Sequence, residues 1–178
     1  MKIQIRRNVF ETNSSTNHTL AIRRCDAPDK INQVITLAST PLNELKKMFY
    51  EDVVELHNLT LQQKVDVIFY SALASYEARV FLKQVIQLQD ILSRFNVILN
   101  IDWNSIKDSI DEYFDYSIFR LVSYRLGKEE DIIQFLFSGE AYYTEYCDEC
   151  GNTPSERIIK IDDLAYGNKD YIYISERM

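Results

Sequence analysis

Hydrophobic and polar residues alternate with a period of two at both ends of this chain, which is typical of β-strands. Near the start, Lys2–Arg6 and Thr19–Arg23 each alternate, so we predict two strands joined by a polar loop in an N-terminal β-hairpin. Near the end, three short segments rich in Tyr and Ile are bounded by Gly, Asn or Asp. They predict further strands at Ala141–Tyr146, Arg157–Ile161 and Tyr171–Ser175.

Between these ends, apolar residues recur every three or four positions, as in amphipathic helices. The longest such stretch follows Thr60 and contains no Pro or Gly from residue 61 to 95, so it predicts one long helix or two end to end. Val97–Leu99 is either a short strand or the exit of that helix. Further helices are predicted for Asp29–Leu37 after Pro28, from Thr40-Pro41 towards Leu56, from Asn104 or Ser105 to near Gly127, and for Glu129–Phe137.

These elements predict an α+β fold in one domain, residues 1–178. The hairpin with its polar loop takes residues 1–25, the helical region takes residues 26–138, and the β-rich end takes residues 139–178. We expect the strands of the two ends to share one sheet, with the helical middle packed against it.

The charge of the chain limits its partners. The net charge is −7, which argues against general adsorption to nucleic acid or anionic membranes. Six basic and three acidic residues give residues 1–30 a net charge of +3, so the remainder carries −10. The basic patch suits a single stretch of phosphate backbone. The acidic body is either simply solvated or imitates nucleic acid towards a basic partner.

Cysteine use indicates a reducing cytosol, because the chain has three cysteines and no apolar run of the signal-peptide kind after Met1. Its apolar runs are too short to cross a bilayer. Cys147 and Cys150 have the spacing of half a zinc site, but the second pair of ligands is missing. We therefore favour a tight turn with two free thiols, and we predict no metal and no other cofactor.

The polar segment from Arg6 to His18 is the main candidate for chemistry. Asn, Ser and Thr side chains bond readily to nearby backbone, so one interpretation is a structured turn and nothing more. The other interpretation is a reactive site. Histidine is the residue type that titrates near neutrality, and a hairpin would bring His18 close to Glu11, with Arg7 supplying positive charge at the mouth of the core.

Such a group of residues fits cleavage of a phosphodiester through the 2′-hydroxyl of RNA. In this hypothesis His18 and Glu11 are the acid and the base, and Arg7 stabilises the charge that grows on the phosphate. The backbone of the Asn and Ser residues would form an anion-binding nest. The residues predicted to bind phosphate or RNA are Arg6, Asn13, Ser14, Ser15 and Arg23.

The same segment resembles the opening of a family of small bacterial and phage proteins with the pattern R-x-N-x-F-E-T-N-S-S-S-x-H-S. In this chain Thr16 stands at the third serine, Asn17 precedes the histidine, and Thr19 follows it. The match covers about the first 22 residues. The size and acidity of the chain are similar to those of type II-A anti-CRISPR proteins, in particular the kind that shortens the guide RNA.

The resemblance implies an inhibitor encoded by a phage or mobile element and acting in the cytoplasm of the host bacterial cell. Its partners would be a type II CRISPR effector nuclease and the guide RNA of that nuclease, with no membrane involved. The leading hypothesis is a ribonuclease that cleaves the guide RNA without a metal ion. The alternative is a non-catalytic acidic protein that binds the effector and blocks nucleic-acid loading.

Overall fold

A computed structural model describes residues 16–73, 78–101, 118–119, 122, 126–147 and 153–177. Within these ranges the protein has the predicted α+β fold, with six strands, five α-helices and a 3₁₀ turn at Leu56–Asn58. The strands are β1 (Thr16–Arg23), β2 (Gln33–Leu37), β3 (Val53–Glu55), β4 (Val97–Ile101), β5 (Ala141–Cys147) and β6 (Tyr171–Arg177). The helices are α1 (Leu42–Met48), α2 (Leu61–Leu73), α3 (Ala78–Arg94), α4 (Glu129–Phe137) and α5 (Glu156–Ala165).

The main sheet has four strands in the order β3-β5-β1-β6, and all neighbours in it are antiparallel. It joins the start of the described chain to its end, as the sequence predicts. The register places Leu20 of β1 opposite Tyr143 of β5 on one side and opposite Ile174 of β6 on the other.

Strand β1 is therefore central, and both of its edges are occupied. It pairs with β5 over Thr16–Ile22 and with β6 over Asn17–Arg23. The predicted hairpin requires Thr19–Arg23 to pair with Lys2–Arg6, and β1 has no open edge along that stretch. Lys2–Arg6 itself lies outside the described residues.

Helices cover both faces of this sheet. On the face that we call the core face, Leu20 and Ile22 join the large hydrophobic core, which α2 and α4 complete. On the opposite face, which we call the α5 face, Ala21 packs in a smaller core with α5. The alternation of β1 thus buries both sets of its side chains, because a central strand between two helical layers has no solvent-facing side.

The segment predicted as a strand at Arg157–Ile161 is instead part of helix α5. Ile158, Ile161 and Ala165 recur at helical spacing and face the sheet, so the helix buries one stripe. The hydroxyl of Ser155 accepts a hydrogen bond from the backbone N–H of Ile158 at 3.4 Å and caps the helix. Tertiary packing and this cap favour the helix over the strand that the isoleucines alone predict.

The helical prediction for Asp29–Leu37 is also wrong, since no helix forms anywhere in this range. Gln33–Leu37 forms β2, which runs parallel to β4, and Val97–Ile101 is accordingly a strand and not a helix exit. Ile35 and Leu37 are buried while Val34 is 57% exposed, which is the period of two expected for a strand. The middle of the chain therefore contributes a small second sheet as well as helices.

The long helical stretch at residues 61–95 consists of two helices, α2 and α3. The rings of Phe69 and Phe81 lie 5.8 Å apart, whereas twelve residues of one straight helix would separate them by about 18 Å. The helices thus pack side by side. The helix that begins after Thr40-Pro41 ends at Met48, well before Leu56, and the chain continues into β3.

A buried carboxylate holds the connection between β2 and α1. Asp66 on α2 is fully buried and accepts hydrogen bonds from the backbone N–H groups of Ala38 at 2.8 Å and Thr40 at 2.9 Å. The side-chain amide of Gln62 donates a third bond at 3.0 Å. Burial raises the pKa of Asp66, and these bonds oppose that rise by stabilising the charged form.

A buried ammonium group, that of Lys64, binds backbone carbonyls at the end of α4. Lys64 is only 4% exposed, and its Nζ donates to the backbone carbonyls of Leu136 at 3.2 Å and Ser138 at 3.5 Å. Carbonyls at the C-terminus of a helix have no intrahelical partners, and a cation there is favourable. None of the helices in the described ranges is long and apolar enough to span a membrane.

Candidate functional site

The predicted site residues divide between the described and the undescribed parts of the chain. His18, Arg23 and Cys147 are described. The others lie outside the described residues: Arg6, Arg7, Glu11, Asn13, Ser14, Ser15 and Cys150. The geometry of the site is therefore built from His18 and the side chains that surround it.

His18 is the third residue of the central strand β1, and not a residue of the loop before it. It shares the parity of Leu20 and Ile22, so its side chain belongs to the core face, where it is 2% exposed. A histidine at this depth requires polar partners, because burying an unpaired polar group is costly. The neighbouring strand β5 supplies them.

Tyr143 and Glu145 of β5 are these partners. The Nδ1 atom of His18 lies 3.0 Å from the hydroxyl of Tyr143 and 3.7 Å from a carboxylate oxygen of Glu145. The Tyr143 hydroxyl in turn donates a hydrogen bond to that carboxylate at 2.8 Å. The strand register places Glu145 directly opposite His18, and the three residues form a chain of hydrogen bonds that we call the His18 relay.

The relay determines which nitrogen of His18 carries the proton. A phenol has one hydrogen, and that of Tyr143 is directed to Glu145. The oxygen of Tyr143 must therefore accept from His18, which places the proton of the neutral imidazole on Nδ1. Nε2 is then the basic nitrogen, the same arrangement that a buried carboxylate imposes on the histidine of hydrolytic triads.

The relay also leads from the core to solvent. Tyr143 is 1% exposed and its ring packs edge-on against Phe49, with 5.9 Å between ring centres. The side chain of Glu145 is 41% exposed. One end of the relay is thus a buried base, and the other is a carboxylate that water reaches.

Arg23 does not belong to this group. It lies five residues along β1 from His18, roughly 17 Å away, and it has the opposite parity. Its guanidinium pairs with Glu140 at 2.9 Å, and the Tyr171 hydroxyl donates to the same carboxylate at 2.6 Å. The bond from Tyr171, followed by those from Arg23, lowers the pKa of Glu140. The structure does not bring this predicted RNA-binding residue together with His18.

The second histidine is also separate from the relay. His57 lies in the 3₁₀ turn after β3, and its Nδ1 lies 3.1 Å from the backbone carbonyl of Ala141, at the opposite end of β5 from Glu145. Its Nε2 lies 3.7 Å from Glu55, which also accepts a hydrogen bond from Arg157 at 3.1 Å. His57 therefore fastens the short strand β3 to the sheet.

Cys147 takes part in a disulfide bond, so it is not the free thiol that the sequence favoured. Cys25 is a free cysteine, and burial raises the pKa of its thiol. Within the described ranges, no group of three or more His, Cys, Asp or Glu side chains has the arrangement of a metal site.

Sequence reasoning identified His18 but missed its partners. Tyr143 is one of three tyrosines in β5, and the alternating pattern of that strand indicates packing as readily as chemistry. Glu145 carried no signal except that it shares a strand face with Tyr143. Only the pairing of β5 with β1 reveals that Glu145 lies opposite His18 and that Tyr143 lies opposite Leu20, two residues further along β1.

The chain matches no protein-family model, and it has no significant match among curated proteins or solved structures.

Proposed function

We propose that this protein cleaves RNA by metal-independent acid–base chemistry at His18. One observation carries the proposal: Nδ1 of His18 lies 3.0 Å from a tyrosine hydroxyl that is itself bonded to the carboxylate of Glu145. This chain of bonds favours the tautomer with the proton on Nδ1, in which Nε2 is the unprotonated nitrogen, and it supplies a negative charge for the imidazolium that forms. Proton transfer by a positioned histidine is what cleavage through a 2′-hydroxyl requires.

In the proposed reaction, Nε2 of His18 removes the proton of the RNA 2′-hydroxyl. The 2′-oxygen attacks the adjacent phosphorus, and the bond from phosphorus to the 5′-oxygen breaks. A proton then reaches the leaving 5′-oxygen, so the products are a 2′,3′-cyclic phosphate and a 5′-hydroxyl. Glu145, 3.7 Å from Nδ1, stabilises the positive imidazole between these steps.

The remaining groups of the site come from the polar segment that precedes β1. Glu11 is the proposed acid that protonates the leaving oxygen, and Arg7 the cation that stabilises the phosphate. Arg6 and the nest at Asn13–Ser15 would hold neighbouring phosphates. These roles rest on the sequence, since the segment lies outside the described residues. Thr16, the first described residue, connects it directly to the strand of His18.

The proposed substrate is RNA that a partner protein holds, because a chain with a net charge of −7 has no general attraction for a polyanion. The resemblance of residues 6–19 to the bacterial and phage family is the basis for proposing a type II CRISPR effector nuclease in the host cytoplasm as that partner. The guide RNA would then be the substrate, and its shortening would inactivate the effector.

The test is to incubate the protein with the effector and its guide RNA in EDTA and to separate the RNA on a denaturing gel. We expect shortened RNA with a 2′,3′-cyclic phosphate end. His18→Ala should reduce the rate at least about 100-fold, as expected for the loss of a general base, and Glu11→Ala should also reduce it. His57→Ala is the matched control, since it removes the other histidine, which lies outside the relay.

Two results would refute the chemistry. One is cleavage that survives His18→Ala at the rate of the unsubstituted protein. The other is cleavage of RNA whose nucleotide at the cut carries a 2′-deoxy sugar, because that sugar lacks the attacking oxygen. Cleavage that requires added divalent metal would contradict the metal-independent mechanism.

The burial of His18 favours the second candidate function, a non-catalytic binder. At 2% exposure, His18 can also be explained as a satisfied core residue. The acidic chain would then inhibit the effector by occupying its basic nucleic-acid channel. In that case the guide RNA stays intact while effector activity is lost, and reversing exposed acidic charges weakens inhibition more than His18→Ala does.

A further inference from the structure

Cys147 is the last residue of β5, and it takes part in a disulfide bond. The chain has three cysteines, of which Cys25 is free. The cysteine count therefore leaves Cys150 as the partner within the chain, although that residue lies outside the described ranges. The proposed chemistry at His18 makes no use of this C-x-x-C pair.

The strand register places the disulfide beside the His18 relay. Cys147 lies opposite Thr16 at the end of the β1–β5 ladder, and two positions further into the ladder Glu145 lies opposite His18. Cys147 has the same parity as Glu145, so both side chains belong to the same face of β5. Two residues of a strand span about 7 Å, and the bond at Cys147 therefore adjoins the solvent-facing carboxylate of the relay.

Three strands end together at this point of the sheet. β1 begins at Thr16, while β5 ends at Cys147 and β6 ends at Arg177. His18 belongs to the third pair of the β1–β5 ladder and to the second pair of the β1–β6 ladder, counted from that end. The ends of elements open more readily by local unfolding than their centres do. A covalent bond at Cys147 is in a position to limit such opening.

The burial of His18 makes this opening relevant to the proposed reaction. In the disulfide-bonded fold His18 is 2% exposed, whereas the proposed reaction requires RNA to reach its Nε2 atom. Cys147 itself is only half-buried, so a small thiol reagent can approach it more easily than it can approach His18. The group that controls access is thus more accessible than the base that it encloses.

We propose that the Cys147 disulfide is a redox switch that keeps the His18 site closed while it is oxidised and allows the site to open once it is reduced. The reductant is a dithiol. One of its thiolates attacks a sulfur of the bridge, the S–S bond breaks, and the released cysteine thiolate takes up a proton. The second thiol of the reductant then displaces the other cysteine. The protein gains two thiols, and the reductant becomes a disulfide.

The biological role of this switch rests on the proposed function, because it concerns the same histidine. Disulfides in the cytosol are usually transient or redox-sensing, since cellular thiols reduce them. In the host cytoplasm the bridge would therefore be reduced and His18 accessible to RNA. The opening of the strand ends is a property of the protein alone and is measured without RNA.

The first measurement counts thiols in the full chain before and after treatment with dithiothreitol. Alkylation in denaturant followed by mass spectrometry should find one reactive thiol, at Cys25, in the oxidised protein and three in the reduced protein. A titration with mixtures of reduced and oxidised dithiothreitol should interconvert the two forms. This measurement requires no substituted protein, so it does not depend on whether a variant folds.

The second measurement is amide exchange in the two forms. The backbone N–H of Glu145 donates to the carbonyl of Asp52 at 2.9 Å near the bridge, and reduction should accelerate its exchange at least about tenfold. The backbone N–H of Arg23 donates to the carbonyl of Glu140, also at 2.9 Å, at the other end of the sheet. It is the internal control, and its exchange should not change.

Two variants separate the bridge from the other effects of a thiol reagent. Cys150→Ser should show fast exchange at Glu145 with or without dithiothreitol, because it cannot form the bridge. Cys25→Ser is the matched control, since it also removes one cysteine but keeps the bridge. It should respond to dithiothreitol as the unsubstituted protein does.

Three results would overturn the switch. One is a protein with three reactive thiols after mild oxidation. Another is exchange at Glu145 that is equal in the oxidised and reduced forms. The third is equal acceleration at Glu145 and Arg23, because the bridge would then support the whole fold and not one end of the sheet.

RNA cleavage separates the switch from the proposed function. Faster cleavage by the reduced form than by the oxidised form supports both, and equal cleavage by the two forms would overturn the switch. If neither form cleaves RNA while exchange at Glu145 still differs between them, the proposed function is refuted and the redox-dependent opening stands.

Discussion

At the scale of single residues, Tyr143 has the greatest influence on His18. It is the only side chain between the imidazole and Glu145 in the His18 relay, with bonds of 3.0 and 2.8 Å on its two sides. A hydroxyl in this position fixes the direction of both bonds. The relay therefore depends on one oxygen atom buried in the sheet.

We predict that Tyr143→Phe changes the tautomer of His18. Without the hydroxyl, Nδ1 loses its partner at 3.0 Å and faces the carboxylate of Glu145 at 3.7 Å, beyond hydrogen-bond distance, so the preference for that nitrogen should fall. Nitrogen NMR of the imidazole distinguishes the two tautomers and does not depend on any RNA substrate. The loss of the buried hydroxyl should also cost about 1–2 kcal/mol of unfolding free energy.

The control for this prediction is Tyr142→Phe. Tyr142 precedes Tyr143 in β5 but points to the α5 face, where its ring contacts His57. Its hydroxyl should therefore have no effect on His18. If the two substitutions change the His18 nitrogen signals equally, the relay does not set the tautomer.

A second residue-scale prediction concerns alkaline pH. Burial, together with the hydrogen bond from its hydroxyl to Asp162 at 2.9 Å, raises the pKa of Tyr173 to about 12. An unfolded tyrosine titrates near 10, so the folded state holds this proton more tightly. The resulting contribution to stability is complete below pH 10 and should be lost as the pH rises from about 10 to about 12.

NMR of the tyrosine ring carbons during an alkaline titration measures this pKa directly. Asp162→Asn should lower the pKa of Tyr173 but not return it to its ordinary value, since burial is the larger cause. A titration of Tyr173 near pH 10 in the unsubstituted protein would contradict the prediction.

At the scale of elements, Asp66 controls how β2 passes into α1. Ala38 adopts a left-handed backbone conformation with φ of 59°, which is uncommon for a residue with a Cβ atom. The carboxylate of Asp66 compensates for this turn by accepting from the backbone on both sides of Ser39. A helix residue thus determines the shape of a connection that lies more than twenty positions earlier in the chain.

We predict that Asp66→Ala lowers the unfolding free energy by about 2–4 kcal/mol, because it leaves two buried backbone N–H groups without acceptors. Urea denaturation followed by circular dichroism measures the change. Asp90→Ala on α3 is the control, since Asp90 is exposed and its removal should change stability by less than about 0.5 kcal/mol. Equal losses in the two variants would show that the turn does not need Asp66.

The individual helices and strands also show where a sequence pattern is sufficient to predict the secondary structure. Glu129–Phe137 and Tyr171–Ser175 were predicted correctly because their spacing is regular and long enough to favour one structure. Gln33–Leu37 and Arg157–Ile161 are five residues each. So short a run of apolar residues fits the period of a strand and the period of a helix equally well. The Ser155 cap is the local signal that would have identified α5.

At the scale of the whole molecule, the site combines segments that are distant in sequence. His18 and Tyr143 are 125 positions apart, and no local pattern specifies that their strands are neighbours. The sequence supports a histidine of interest near the start of β1 and a sheet shared by both ends. The register that places Glu145 opposite His18 depends on the packing of the complete sheet.

The central position of β1 has a consequence for synthesis. Its two partners, β5 and β6, leave the ribosome more than a hundred residues after it, because they begin at Ala141 and Tyr171. Until then the apolar residues of β1 lack both strands that flank them in the described fold, for several seconds at bacterial elongation rates of about 20 residues per second. A ribosome that stalls before β6 would release a chain with β1 open on one side, a natural target for chaperones and proteases. The quantity of active protein in a cell should therefore follow the completion of translation more closely than its initiation.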